Sequence, residues 1–422
     1  MKQLQGAKPF NIDRWDLYHA YVHVKSNRGS AGIDGIELSE YEKELKGNLY
    51  RLWNRMSSGS YMPKAVKLVE IPKPDGGSRP LGIPTVEDRI AQMLVVRLIE
   101  PSIDKIFHED SYGYRPNRSA HQAIGIARER CWRCDWVLDM DISKFFDTID
   151  HGLLMRAVER HVEEKWILLY IRRWLVVPYE KPDGSLEERT CGVPQGSVIG
   201  PILANLYLHY CFDKWMEINH PSIKFERYAD DTICHCRSRQ EAEALLDELS
   251  KRFDSCKLSL NVKKTKIVYC KDERRRQEYF CISFDFLGHT FRPRKTMNRV
   301  QRKAFTRFLP DISQKAKKYI KDTMRSWKLK SKSHTPLDLI ASEVNPILRG
   351  WMNYYGKFCM YSIKRIMEDF NFMLARWAKA KYKRFKKKPM YLAFKWLGGI
   401  AKRALLFYHW KLGVYPKNVT CY

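Results

Sequence analysis

The sequence predicts a mixed α/β body followed by a basic helical region, and three observations support this fold class. Short apolar strands alternate with helical segments from Val66 to about Phe291, with Pro-Asp-Gly turn signals between some of them. Beyond Phe291, apolar and aromatic residues such as Leu348, Trp351 and Tyr355 recur at helical spacing among Lys and Arg. A chain of 422 residues exceeds one ordinary core, so we expect several subdomains.

The boundaries of these segments follow from turn and breaker residues. Residues 1–65 predict a small helical lead-in that contains a Gly-rich loop at 27–35 and a helix from Ser39 to about Met56. The helices of the basic region are expected to be interrupted at Pro310, Pro336, Pro346 and Pro389.

The charge is strongly positive and concentrated at one end of the chain. Lys and Arg number 76 against 48 Asp and Glu, a formal net charge of +28. Residues 293–422 alone carry 31 Lys and Arg against 6 Asp and Glu, a net of +25. A solvated helix face is the simplest interpretation of a basic run, but so uneven a distribution favours a surface that binds nucleic-acid phosphates.

The cysteine pattern and the hydropathy of the sequence indicate in which cellular compartment the protein is expected. The eleven cysteines form no regularly spaced framework, so we expect a reduced protein in the cytoplasm. No stretch offers some twenty consecutive apolar residues, so no membrane span is expected.

Two adjacent carboxylates, Asp230 and Asp231, lie between apolar and aromatic residues in the segment KFERYADDTIC. Such flanks predict a β-hairpin with the acids at its turn. Neighbouring carboxylates repel each other, and keeping both charged beside a buried surface is unfavourable unless a cation lies between them. An acidic surface turn is the alternative that four residues alone do not exclude.

A second acidic element, WVLDMDISKFFD, covers residues 136–147. Its alternation predicts a strand in which Asp139 and Asp141 share one face, so either could point at a metal ion. Asp147 is expected to be a structural acid in a turn. Two carboxylate clusters on separate strands suit two-metal phosphoryl transfer, in which substrate phosphates complete the shell of Mg²⁺.

These elements occur in the order found in reverse transcriptases, and the chain resembles the bacterial type of the group II intron reverse transcriptase/maturase family. The segments that carry the resemblance are NRGSAGIDG at 27–35, IPKPDGGSRPLGIPTVEDR from Ile71, SYGYRPNRSAHQAI from Ser111, LDMDISKFFDTIDH from Leu138, GVPQGSVIGPILANLYL from Gly192, YADD from Tyr228, LNVKKTKI from Leu260, FLGH from Phe286 and ILRGWMNYYG from Ile347. One departure is Gly200, which stands where the family often has Ser in QGxxxSP. No endonuclease-like Cys and His cluster follows the helical region, so DNA cleavage is not expected.

The resemblance implies a right-hand polymerase with fingers, palm and thumb and a basic helical maturase region. The expected domains are an N-terminal extension with a template-contacting loop at 1–65, fingers and palm at 66–291, a helical thumb/maturase domain at 292–390 and a basic helical tail at 391–422.

The resemblance also implies roles for single residues. Asp141, Asp230 and Asp231, with the backbone carbonyl of Ile142, are expected to hold two Mg²⁺ ions, or Mn²⁺ in their place. The residues expected to bind the incoming nucleotide are Lys73, Arg79, Phe146, Gln195 and Lys264. The residues expected to form the primer grip are Phe286, Leu287 and Gly288. A contact with RNA is expected from the run Lys383, Arg384, Lys386, Lys387 and Lys388.

Two of these assignments have alternatives in the sequence itself. Phe146 falls where the family has the aromatic residue that crowds the sugar 2′ position and selects deoxynucleotides, although a Phe beside a strand is commonly core. Lys264 resembles the lysine proposed to protonate pyrophosphate, but Lys263 and Lys266 lie beside it.

The leading hypothesis is an RNA-directed DNA polymerase that also binds group II intron RNA and assists its splicing and mobility. Its expected partners are an RNA template, a DNA primer, deoxynucleoside triphosphates and intron RNA. One alternative is a non-enzymatic RNA-binding splicing factor. Another is a domesticated reverse transcriptase in DNA repair or phage defence.

Overall fold

The computed structural model describes residues 8–27, 29–72, 77–297 and 304–417. The chain divides into two compact units. The first contains residues 1–123 and 138–267, and the second contains 124–137 and 268–422. The four-part domain division expected from the family stays a prediction.

Helices and strands alternate through the first part of the chain, and helices dominate its end. The helices are α1 (Arg14–Asn27), α2 (Leu38–Tyr41), α3 (Leu45–Ser58), α4 (Val86–Ile103), α5 (Ala120–Cys131), α6 (Phe145–Thr148), α7 (His151–Glu159), α8 (Lys165–Val176), α9 (Gly200–Leu208), α10 (Lys214–Asn219), α11 (Arg239–Ser255), α12 (Gln314–Ser326), α13 (Leu337–Lys381), α14 (Met390–Arg403) and α15 (Tyr408–Lys411). The strands are β1 (Val66–Pro72), β2 (Ser78–Ile83), β3 (Trp136–Met140), β4 (Tyr179–Glu180), β5 (Leu186–Glu187), β6 (Lys224–Tyr228), β7 (Asp231–Cys236), β8 (Lys266–Tyr269), β9 (Phe284–Phe286), β10 (His289–Met297) and β11 (Ala304–Ile312).

Two sheets belong to the α/β part of the chain. One has the strand order β2-β1-β4-β5, and the other has the order β6-β7-β3-β8. The hairpin β4–β5 turns at the expected Pro-Asp-Gly signal, where Gly184 has a φ of 80° that suits glycine. Helix α4 is buried from Asp88 to Val96, and Thr85 caps its start by accepting a hydrogen bond from the backbone N–H of Asp88 at 3.1 Å.

The Gly-rich loop near the amino terminus packs against the start of α4. The guanidinium of Arg89 donates to the carbonyl of Ser30 at 2.7 Å. A Cβ on Gly32 would lie 2.7 Å from the backbone of Thr85, so only glycine fits this close approach. The helix expected from Ser39 to Met56 is broken into α2, a 3₁₀ turn and α3.

The second unit combines a three-stranded sheet, ordered β11-β10-β9, with the carboxy-terminal helices. Helix α13 runs through its core, with the buried side chains of Leu348, Phe370 and Trp377, and it kinks at Cys359, where φ is −130° and ψ is 39°. Helices α14 and α15 pack against α13.

The expectation of helices directly after Phe291 is wrong, because residues 289–297 and 304–312 pair as the antiparallel strands β10 and β11. Pro310 lies inside β11 rather than at a helix break, which is tolerated because β11 is an edge strand. Pro346 lies within α13, where burial of the flanking Val344 and Leu348 stabilises the helix across the proline. The breaks expected at Pro336 and Pro389 are confirmed, since each precedes a helix.

In the part of the chain that the structure describes, no helix is long and apolar enough to span a membrane.

Candidate active site

The acidic pair lies on a tight β-hairpin, as expected. Strands β6 and β7 pair antiparallel with Tyr228 opposite Asp231, which leaves Ala229 and Asp230 as a two-residue turn. Ala229 has a φ of 58°, in the left-handed region that costs a residue with a Cβ about 1 kcal/mol. A strained turn of this kind persists only where its surroundings hold it, and such strain concentrates at functional sites.

The third carboxylate, Asp141, lies close enough to act on both acids of the hairpin. Burial raises the pKa of Asp230, and the charge of Asp141 adds to that rise. Burial raises the pKa of Asp231 to about 6, with Asp230 and Asp141 as the further causes. Two acids with raised pKa values beside a third carboxylate form a site whose negative charge a cation would neutralise.

A lysine in direct contact with Asp141 is one counter-ion of this cluster, and Arg79 acts on Asp230 as another. The Nζ of Lys264 lies 3.3 Å from each carboxylate oxygen of Asp141. The backbone around it is fixed, since the N–H of Asn261 donates to the carbonyl of Asp141 at 2.8 Å and Ile142 pairs with Leu260. Of the three lysines in this segment, Lys264 is therefore the one seen at the carboxylate.

The donor set fits a loosely held Mg²⁺ rather than a closed protein cage. Within residues 8–27, 29–72, 77–297 and 304–417, no three His, Cys, Asp or Glu side chains converge tightly enough to hold a metal ion by themselves. Protein sites for Mg²⁺ commonly use only one or two carboxylates and leave the remaining positions to water and substrate phosphates. The mutual repulsion of Asp141, Asp230 and Asp231 supplies the reason for a cation there. The ligand role of the Ile142 carbonyl stays a prediction.

The raised pKa of Asp231 predicts a pH-dependent response to metal. Protonation of Asp231 stabilises the metal-free fold. This contribution is complete below pH 3.8, the ordinary pKa of an aspartate, and it is lost as pH rises through about 6, the pKa of Asp231 in the fold. A bound cation needs the ionised carboxylates, so Mg²⁺ should raise Tm by about 4 °C near pH 7.5 and by only about 1 °C near pH 5.5. Scanning calorimetry measures both shifts. Asp231→Asn should reduce the shift near pH 7.5, and equal shifts of the wild type at the two pH values would contradict the assignment.

Two predicted nucleotide-binding residues are joined by hydrogen bonds. Arg79 Nε on β2 donates to Gln195 Oε1 at 2.6 Å, and Gln195 Nε2 donates to Asp147 Oδ1 at 3.2 Å. The chain of contacts links β2, the Pro-Gln-Gly turn and α6, and it gives Asp147 the structural role expected from the sequence. Lys73 lies outside the described residues.

The structure of the Pro-Gln-Gly turn accounts for glycine at position 200, where the family often has serine. A Cβ on Gly200 would lie 2.6 Å from Ser197 Oγ, which accepts a hydrogen bond from the N–H of Gly200 at 3.0 Å. Gly196 has a φ of 108° and approaches the carbonyl of Gly82 so closely that a Cβ would lie 2.5 Å from it. The turn therefore keeps its shape with Gly200 because Ser197 fills the space of a side chain.

Phe146 lies on α6 next to the carboxylate strand and is buried. Its ring packs edge-on against Phe145 at 5.3 Å, and its carbonyl accepts from the N–H of Val193 at 2.7 Å. Lys144 before it has a φ of 46°, which turns the chain from β3 into α6. The position is compatible with a sugar gate and with simple core packing, so the gate stays a prediction.

The residues expected to form the primer grip make the turn between β9 and β10. Leu287 and Gly288 both have positive φ, at 48° and 74°, as the two-residue hairpin turn requires. The hydroxyl of Tyr354 on α13 donates to the carbonyl of Leu287 at 2.8 Å, so the turn is seated on that helix. Phe286 ends β9 and is buried. Their role in holding a primer stays a prediction.

The basic run near residue 385 is exposed, and one of its members also packs on aromatic rings. Phe385 is buried, and the guanidinium of Arg384 stacks over Phe385 at 4.8 Å and Trp396 at 5.5 Å. The other members of the run are the exposed side chains of Lys383, Lys386, Lys387 and Lys388. RNA contact by these lysines stays a prediction.

The sequence did not indicate that Gly113 supports the acidic hairpin. A Cβ on Gly113 would lie 2.9 Å from the carbonyl carbon of Tyr228 and closer still to the backbone nitrogen of Ala229. The flanking segment is tied to β6, since the N–H of Tyr112 donates to the carbonyl of Arg227 at 2.8 Å. The only signal was a glycine within an aromatic motif, SYGYRPNRS, some 115 residues before the hairpin.

Comparison with known families places this site. Residues 71–291 match the family model for reverse transcriptase (RNA-dependent DNA polymerase). The chain belongs to the reverse transcriptase family. The reverse transcriptase domain contains all three carboxylates, and the right-hand polymerase fold expected from the sequence follows from this membership. Residues 317–395 match the group II intron, maturase-specific domain, which covers most of α12–α14.

Three curated relatives give the range of similarity. Protein YkfC of Escherichia coli (strain K12) is 33% identical over 296 residues, which cover 61% of this chain and 74% of YkfC. The group II intron-encoded protein LtrA of Lactococcus lactis subsp. cremoris is 28% identical over 266 residues, which cover 63% of this chain and 43% of LtrA. The putative COX1/OXI3 intron 1 protein of Saccharomyces cerevisiae is 31% identical over 207 residues, 49% of this chain and 24% of that protein. The match therefore spans less than half the length of LtrA and of the COX1/OXI3 intron 1 protein.

Proposed function

We propose that this chain is an RNA-directed DNA polymerase that uses two divalent cations, with Mg²⁺ as the natural ion and Mn²⁺ as an alternative. The observation that carries the proposal is the cluster of Asp141, Asp230 and Asp231 inside the reverse transcriptase domain, where burial and the charge of neighbouring carboxylates raise the pKa of both hairpin acids. Reverse transcriptase domains generally use divalent metals.

The chain's own residues have distinct tasks in this proposal. Asp141, Asp230 and Asp231 hold the cations, which when bound activate the primer 3′ hydroxyl and neutralise the leaving pyrophosphate. Arg79, kept in orientation by Gln195, binds phosphate oxygens of the incoming nucleotide. Lys264 at Asp141 is positioned to give a proton to the departing pyrophosphate.

Primer extension tests the proposed activity. We expect the purified chain to extend a DNA primer on an RNA template with deoxynucleoside triphosphates and Mg²⁺. Chelation of the metal should stop synthesis. A folded chain that binds RNA but adds no nucleotide would contradict the proposal and favour a non-enzymatic splicing factor.

Phe146→Ala should relax sugar selection. Removal of the ring opens space beside the 2′ position, so discrimination against ribonucleotides should fall by about 10² to 10³, which corresponds to roughly 3–4 kcal/mol of lost steric exclusion. Single-nucleotide addition with matched deoxy- and ribonucleotides measures the ratio of kcat/KM values. Phe280→Ala, at a fully exposed aromatic, is the control that should leave the ratio unchanged. An unchanged ratio in Phe146→Ala would remove the gate assignment.

A second function, binding of group II intron RNA in support of splicing and mobility, is favoured by the maturase-specific match at 317–395 and by the net charge of +25 over residues 293–422. A polymerase domesticated for DNA repair or phage defence would share the catalytic cluster. Group II intron RNA encoded beside the gene, and accelerated splicing of that RNA by the protein, would favour the maturase function.

The exposed lysines of the basic run provide a test of RNA binding. Changing Lys383, Lys386, Lys387 and Lys388 to Gln, with Arg384 kept because it packs on aromatic rings, should weaken RNA affinity about tenfold and flatten its salt dependence. Filter binding over a salt series measures both. The matched control changes four exposed lysines of the first unit, Lys43, Lys46, Lys165 and Lys251, to Gln. Equal affinity of the two variants would show that the run is merely solvated.

A further inference from the structure

A buried ion pair lies directly behind the acidic hairpin. Arg227, on β6 two residues before the turn, and Asp213, in the helical turn between α9 and α10, have no solvent-exposed side-chain surface. Arg227 Nε donates to Asp213 Oδ1 at 2.7 Å, and Arg227 Nη2 donates to Asp213 Oδ2 at 2.6 Å. Two of the three guanidinium nitrogens of Arg227 are thus held by the carboxylate of Asp213.

The third nitrogen of the guanidinium reaches the catalytic turn. Arg227 Nη1 donates to the backbone carbonyl of Ala229 at 3.2 Å and to Asn205 Oδ1 at 2.9 Å. Asn205, buried on α9, donates in turn through Nδ2 to the carbonyl of Gly113 at 2.7 Å. One arginine therefore joins the strained residue of the turn to the glycine segment that packs against it.

Stability alone does not account for this arrangement. Desolvation of a buried ion pair offsets most of its attraction, and apolar residues of similar volume often serve a core equally well. What apolar residues do not supply is a planar donor that holds a backbone carbonyl in one orientation. The carbonyl held here belongs to Ala229, whose left-handed backbone sets the direction in which Asp230 and Asp231 leave the turn.

We propose that Asp213, Arg227 and Asn205 form a positioning network that fixes the Ala229–Asp230 turn in its metal-binding geometry. The proposal rests on the proposed function, because it assigns divalent cations to Asp230 and Asp231. These three are positioning residues, since they act through the backbone carbonyls of Ala229 and Gly113. The network sets the affinity of the site for divalent ions and leaves the affinity of the chain for RNA unchanged.

Two variants separate positioning from simple support of the fold. Arg227→Lys keeps a positive charge beside Asp213 but loses the fork that reaches Ala229 and Asn205. The double variant Asp213→Leu with Arg227→Met removes both buried charges and keeps similar volume, so it is expected to fold, with a moderate loss of Tm because the Ala229 carbonyl and Asn205 Oδ1 lose a donor. Arg173→Lys is the matched control, because Arg173 binds the carbonyl of Gly59 at 2.8 Å elsewhere in the first unit.

The test measures Mn²⁺ binding to the free protein by electron paramagnetic resonance, alongside Tm and RNA affinity. We expect Arg227→Lys and the double variant to bind Mn²⁺ at least about tenfold more weakly than wild type, with RNA affinity within about twofold. Arg173→Lys should lower Tm and leave Mn²⁺ affinity within about twofold. The dependence of single-turnover extension on Mg²⁺ should shift by the same factor, with its plateau largely restored at high Mg²⁺.

The outcomes are distinct for the two proposals. Unchanged Mn²⁺ affinity in the folded double variant, or a wild type that binds no Mn²⁺ at this cluster, would overturn the positioning network. A wild type that binds Mn²⁺ but extends no primer would overturn the polymerase proposal, while the comparison of Mn²⁺ affinities would still decide the network. Loss of Mn²⁺ binding in Arg173→Lys equal to that in Arg227→Lys would show a general effect of unfolding and would also overturn it.

Discussion

Asp230→Asn is expected to abolish nucleotide addition while leaving the fold at least as stable as that of the wild type. Burial and the neighbouring Asp141 raise the pKa of Asp230, so the ionised side chain destabilises the metal-free protein at neutral pH. Asparagine removes that charge at nearly constant shape. The same change removes a ligand that the cations need, so the rate of single-turnover extension should fall by at least about 10³.

The two measurements together distinguish a catalytic carboxylate from a structural one. Extension under single-turnover conditions reports the chemistry, and Tm without metal reports the fold. Asp247→Asn is the matched control, since Asp247 is an exposed carboxylate on α11 and its loss should change neither quantity. Extension by Asp230→Asn within about tenfold of the wild type would contradict the metal assignment.

Gly113→Ala is expected to reduce extension about 100-fold without loss of RNA affinity. The added Cβ would lie 2.9 Å from the carbonyl carbon of Tyr228, so the Ala229–Asp230 turn must move away from Gly113. Misplacement of a reacting group by about 1 Å commonly lowers a rate about 100-fold. The effect should appear mainly in the plateau rate and in the Mg²⁺ concentration needed to reach half of it.

A glycine with open space supplies the control for this change. Gly47 lies on the exposed face of α3, and the nearest atom to an added Cβ is 3.7 Å away at the end of the Arg51 side chain. Gly47→Ala should raise Tm slightly, because alanine favours helix, and leave extension unchanged. Wild-type rates in a folded Gly113→Ala variant would show that the turn does not depend on this contact.

Local pattern was enough to predict the parts of the site that are contiguous in sequence. Apolar and aromatic flanks around Asp230 and Asp231 predicted the hairpin and its turn, and the alternation of apolar residues before Asp141 predicted β3. Pairings between distant segments had no such signal. The contact of Lys264 with Asp141 crosses 123 residues, and the sequence could suggest it only through resemblance to a family.

The missed features share one physical cause, which is that tertiary packing overrode local propensity. The strands β10 and β11 are rich in Arg and Lys, like the helices that follow them. Pro310 was interpreted as a break between helices, so the sequence predicted helix where the structure has strands. The role of Arg227 was hidden for a similar reason. An arginine in a strand usually faces solvent, and only its burial against Asp213 and Asn205 reveals its contact with the Ala229–Asp230 turn.

The central claim is that Asp141, Asp230 and Asp231 hold the cations that drive nucleotide addition. The most direct measurement is the single-turnover rate of adding one deoxynucleotide to a DNA primer on an RNA template, as a function of free Mg²⁺. We predict no addition after chelation, a rate that rises more steeply than linearly with Mg²⁺ at low concentration, and loss of that rise in Asp141→Asn. Addition that persists in chelator, or an unchanged Mg²⁺ dependence in Asp141→Asn, would contradict the claim.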